Sequence, residues 1–87
     1  MSKEPLYIVK VTIPYFCGFS RRYIAYFMTK KQAEEEFQKE KKTLLEKVSE
    51  YLESIDIIDN ENEFKMFNGL VSQYAEITLT ETEVNVD

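Results

Sequence analysis

A run of apolar residues at helical spacing constrains this chain more than any other feature. Ala33, Phe37, Leu44, Val48, Tyr51, Leu52 and Ile55 recur at steps of four, seven, four, three, one and three, tracing one stripe along an amphipathic helix. Thr29 suits the N-cap, and Gln32 three residues later completes the capping-box pattern. Met28 and Ala33 occupy the positions of a hydrophobic staple. A helix with one apolar face must bury it, so the rest of the chain has to supply a second layer.

That layer reads as strands. Tyr7, Val9, Val11 and Ile13 alternate with Lys10 and Thr12, which puts one apolar set on a single sheet face. Pro14 ends this strand, and Tyr15 to Ser20 form a turn in which Gly18 can take a positive φ. Arg21 to Met28 then make a second strand, rich in aromatic and β-branched residues. The connection is too short for a parallel crossover, so the two strands are expected to form an antiparallel hairpin. Beyond the helix, 56–63 reads as helix exit and loop. Phe64, Phe67, Val71 and Tyr74 fit a helical stripe, yet Asn68-Gly69 between apolar runs is a strong hairpin signal. A glycine inside a helix costs about 1 kcal/mol, which favours strands at 63–67 and 70–82.

The expected fold is therefore a two-layer α+β domain of order ββαββ, with about four antiparallel strands packed on one long helix. With 87 residues, one domain spanning 1–87 is expected, its ends at 1–4 and 83–87 frayed. Two Gly and two Pro are too few for a sandwich with many tight turns. Cys17 is the single cysteine, so no internal disulfide can form, and a reducing, cytoplasmic location is expected. No apolar run approaches the roughly 20 residues that span a bilayer, so no membrane role is expected.

Catalytic machinery is sparse. The chain has no His, which removes the commonest general base and zinc ligand. Gly18 and Gly69 are the only glycines, so no phosphate-binding loop exists. Asp59, Glu61 and Glu63 alternate like the opening of a calcium loop, but Phe64 stands where Gly is needed and Leu70 where a bidentate Glu belongs. The expectation is a protein that is not an enzyme, with no cofactor and no metal. Tyr7, Ile8, Arg22, Tyr23 and Tyr26 invite comparison with an RNA-recognition sheet, but Arg22 replaces the characteristic Gly beside the first aromatic.

The charge is unevenly spread. Residues 1–47 hold ten Lys/Arg against six Asp/Glu, whereas 48–87 hold one Lys against ten Asp/Glu. Glu50, Glu53, Asp56, Asp59, Glu61 and Glu63 form an acidic cluster that is either a solvated, solubilising face or a surface that meets a basic partner. At the end of a helix running to Ile55, Glu50, Glu53 and Asp56 would oppose the macrodipole, while Lys30 and Lys31 do so at its start. A second candidate surface is the loop with Tyr15, Phe16 and Phe19 flanked by Arg21 and Arg22, the composition of a binding hot spot. The alternative is that these rings fold back over an open end of the core.

Small size, acidity and the lack of catalytic groups resemble, in general type, small phage-encoded inhibitors, including anti-defence and DNA-mimicking proteins. That resemblance implies a module that binds another protein, in its sharper form an inhibitor or regulator of a nucleic-acid-handling enzyme with a basic groove, acting in the host-cell cytoplasm. The alternatives are a nucleic-acid-binding domain using Arg21, Arg22, Lys30 and Lys31, and a self-associating structural subunit forming a homo-oligomer.

Overall fold

The alternation in the first strand is realised as a buried sheet face: Val9, Val11 and Ile13 are each almost wholly shielded from water. The structure, a computed structural model, describes residues 2–16, 18–69 and 72–86. Within these residues the chain forms β1 (Ser2–Phe16), β2 (Phe19–Phe27), α1 (Lys30–Lys47), a 3₁₀ segment (Ser49–Ser54), β3 (Asp56–Asp59), β4 (Glu63–Asn68) and β5 (Gln73–Val86). The strands make one antiparallel five-stranded sheet of order β2-β1-β5-β4-β3, with α1 laid across one face.

This is the expected α+β architecture with one strand more, ββαβββ. The added strand is β3, in the stretch assigned above to helix exit and loop. Its four residues are all exposed, so no buried face marks it in the sequence. The helix is shorter than the stripe that announced it. After Lys47 the chain tightens into the 3₁₀ segment, whose residues advance by three per turn and carry the apolar pattern on to Ile55, which is buried. Leu52 is left partly exposed, and the Tyr51 side chain lies outside the described part.

Thr29 caps α1 as expected: its side chain accepts from the Gln32 backbone N–H at 3.3 Å. Met28 is half exposed, so the staple is not closed by burial. Because α1 ends at Lys47, that lysine complements the macrodipole in the last turn, and the expected conflict with Glu50, Glu53 and Asp56 falls away. Lys30 does stand in the first turn, with Glu34 at 3.8 Å.

The hairpin is tighter than its six-residue turn implied. Phe16 pairs with Phe19 beyond a bulge after Ile13, so only two residues separate the last paired positions. Gly18 has φ of 83°, the left-handed conformation anticipated for it, and Cys17 lies outside the described residues. At the other hairpin Asn68 pairs with Gln73, so the connection is longer than a two-residue Asn-Gly turn. Ser72 takes the positive φ there, and Leu70 and Val71 are outside the described residues.

Ser2, Lys3 and Glu4 lie opposite Val86, Asn85 and Val84 in the β1–β5 ladder, so backbone pairing continues to both described termini. Beyond Tyr7 on β1 and Thr78 on β5 the neighbouring strands have stopped, which leaves this stretch as a two-stranded ribbon. The ribbon stretches the molecule to 51 × 19 × 17 Å.

Candidate functional site

Helix-facing residues of the sheet fall out of the burial pattern. Ala75, Ile77 and Leu79 of β5 and Phe64 and Met66 of β4 are buried beneath α1 with Phe37, Leu44 and Val48. Alternation then sends Tyr74, Glu76 and Thr78 of β5, and Lys65 and Phe67 of β4, to the opposite face. No helix covers that face among the described residues.

One row across this open face is apolar. Tyr15 of β1 stands opposite Tyr74 of β5, Tyr74 opposite Phe67 of β4, and Phe67 opposite Asp56 of β3. Tyr15 is on this side because the bulge after Ile13 turns Phe16 inward. Tyr15, Tyr74 and Phe67 are 55%, 44% and 47% exposed, and Ile58 in the next row is 55% exposed. Asp56, Ile58, Lys65, Phe67, Tyr74 and Glu76 line a shallow depression here. Lys65 stands between Glu63 at 3.4 Å and Glu76 at 4.0 Å, so its charge is answered within the sheet. Three rings and an isoleucine gathered at one corner exceed the scattered apolar residues of an ordinary surface.

The residues of the expected acidic cluster are divided among the 3₁₀ segment, β3, the β3–β4 turn and β4. Glu50 and Glu53 belong to the 3₁₀ segment. Asp56 and Asp59 bracket β3 and point to opposite faces. Asp59 turns toward α1, where Lys41 donates to it at 2.6 Å. Glu61 lies in the β3–β4 turn and Glu63 opens β4 beside Lys65.

The aromatic and basic loop is divided between the two faces. Phe16 is completely buried in the core, which is the alternative raised for it above. Phe19 is partly buried against the core, with the Lys47 ammonium 5.7 Å from its ring centre. Arg21 turns to the helix and donates to Glu40 at 2.9 Å, whereas Arg22, one residue on, faces the open side. Of this set, Tyr15 alone joins the exposed row.

A polar network between β2 and α1 escaped the sequence reading. Tyr23 Oη lies 2.7 Å from Glu40 Oε1 and 2.7 Å from Glu36 Oε2, and Arg21 reaches the same Glu40 oxygen. Glu40 is only 4% exposed. Burial, followed by the hydrogen bonds to the Glu40 and Glu36 carboxylates, pushes the Tyr23 hydroxyl well above the ordinary tyrosine range. A hydroxyl held protonated in this way is a donor that fastens the helix to the sheet, not a proton acceptor.

Among the described residues, no group of three or more His, Cys, Asp or Glu side chains is placed to hold a metal ion. No described helix is long and apolar enough to cross a membrane. Compared with models of known protein families, with curated proteins and with solved structures, the chain matches none.

Proposed function

We propose that this chain is a non-enzymatic module that binds another protein through the open sheet corner formed by β3, β4 and the start of β5. The observation that carries the reading is the exposed row Tyr15, Tyr74 and Phe67 with Ile58 beside it, on a face that α1 leaves uncovered. Tyrosine and phenylalanine in a shallow depression with a charged rim have the composition of an interface centre. The carboxylates around this corner support the sharper form, a regulator or inhibitor of a nucleic-acid-handling enzyme whose basic surface it would occupy. Direct nucleic-acid binding is less well supported, because Arg21 is committed to Glu40 and only Arg22 of the pair faces the open side.

Replacing Phe67 and Tyr74, which face each other across the β4–β5 ladder, together by Thr tests the reading without setting two like charges side by side. Both are near half exposed, so the melting temperature should stay within a few degrees of the parent. A protein retained from cell extract by the parent chain, at low but not at high salt, should be released by the double variant. Retention of the same protein by both chains would contradict the assignment.

A further inference from the structure

The sheet stops at β3, and the way it stops is specific. The Asn60 N–H donates to the Glu63 carbonyl at 2.9 Å, which closes the β3–β4 turn as a hydrogen-bonded pair. Bonded and non-bonded pairs alternate in an antiparallel ladder, so the next bonded pairs are Ile58 with Lys65 and Asp56 with Phe67. Ile57 and Asp59 therefore direct their backbone N–H and C=O groups away from β4. Among the described residues no strand lies on that side. Ile57 on the helix side and Ile58 on the open side are 43% and 55% exposed, so this edge offers an apolar side chain on each face.

We propose that β3 accepts an extended, basic segment of a partner protein as a sixth strand, bonded to Ile57 and Asp59 and packed on Ile57 and Ile58. The proposal rests on the protein-binding reading above and names the chemistry of the partner. Charge complementarity selects the occupant. Residues 48–64 carry six Asp/Glu and no Lys or Arg, and they comprise the edge strand and the segments on either side of it. Two copies meeting edge to edge would bring two such sets together, and like charges across a strand pair are destabilising. A strand with Lys or Arg beside β-branched residues relieves that repulsion and fills the apolar positions. Within that set Lys41 answers Asp59 and Lys65 answers Glu63. Strand addition of this kind draws affinity from main-chain bonds and specificity from alternate side chains.

Three labelled synthetic peptides test it by fluorescence anisotropy with the full chain. The first alternates Lys with Val and Ile, the second is the same peptide N-methylated at alternate backbone nitrogens, and the third has Glu for Lys. The first is expected to bind, with slowed amide exchange at Ile57 and Asp59. N-methylation should weaken it at least about tenfold, and the acidic peptide should not bind at about 1 mM. On the protein side, Ile57→Pro removes one outward N–H without touching the inward ladder, and should weaken the first peptide to a similar degree while leaving circular dichroism unchanged. No binding of the first peptide, equal binding of its N-methylated form, or exchange protection on β2 in place of β3 would each overturn the proposal. If those failures occur while Phe67→Thr/Tyr74→Thr still releases the retained protein, strand addition alone is wrong; if that release fails too, the corner itself is not the binding surface.

Discussion

Phe16→Ala is expected to destabilise the protein by about 3–5 kcal/mol, a large part of the whole stability of a small domain. The ring closes β1 beside a turn whose composition suggests a binding loop, yet it has no exposed surface and belongs to the same core as Phe37, Leu44 and Phe64. Removing it leaves a cavity that the turn cannot fill, because the bulge after Ile13 fixes the backbone entering it. Tyr15→Ala, one residue earlier and more than half exposed, should move stability by no more than about 0.5 kcal/mol. Thermal and urea unfolding of the two variants checks the pair. Similar losses from both would place the core boundary wrongly.

Tyr23→Phe is expected to cost about 1.5–3 kcal/mol at neutral pH, because it deprives the buried Glu40 carboxylate of a hydroxyl donor and leaves Arg21 to answer it alone. The same variant carries a pH signature. With its hydroxyl held above the ordinary value near 10 in the folded state, Tyr23 contributes fully below that pH. As pH rises past it, the unfolded chain loses the phenolic proton while the folded chain keeps it, so stability falls. Tyr7, whose hydroxyl is also raised by its hydrogen bond to Glu81, adds to this alkaline loss. Urea midpoints measured from pH 8 to 11 should fall for the parent and fall less steeply for Tyr23→Phe. Parallel curves would mean that Tyr23 is not held by the carboxylates.

The parts of this fold legible in the sequence are those in which a buried face imposes a period. Val9, Val11 and Ile13 betray β1, and Ala75, Ile77 and Leu79 betray β5, because their alternation is the alternation of burial. β3 gives no such sign: Asp56, Ile57, Ile58 and Asp59 are all exposed, and an edge strand without a buried face has no pattern to show. Glu40 hides in plain view. The stripe steps seven residues from Phe37 to Leu44, and Glu40 fills the missing position on the buried face. A charged residue reads as solvated until its partners, Arg21 and Tyr23, are brought to it from another element. The corner was obscured in a similar way. Phe67 and Tyr74 fit a helical spacing, and only the ladder between β4 and β5 sets them side by side. The acidic residues were visible one by one, but their division between the 3₁₀ segment, both faces of β3 and the turn depends on backbone geometry that composition does not carry.

The most direct test of the binding corner is backbone amide chemical-shift mapping of the labelled chain in complex with the protein it retains. The largest changes are expected on Tyr15, Ile57, Ile58, Phe67 and Tyr74, around the open face and the β3 edge. Changes confined to Lys30, Lys31 and the outer face of α1, or to Arg22 and Tyr26 on the far strand, would contradict it.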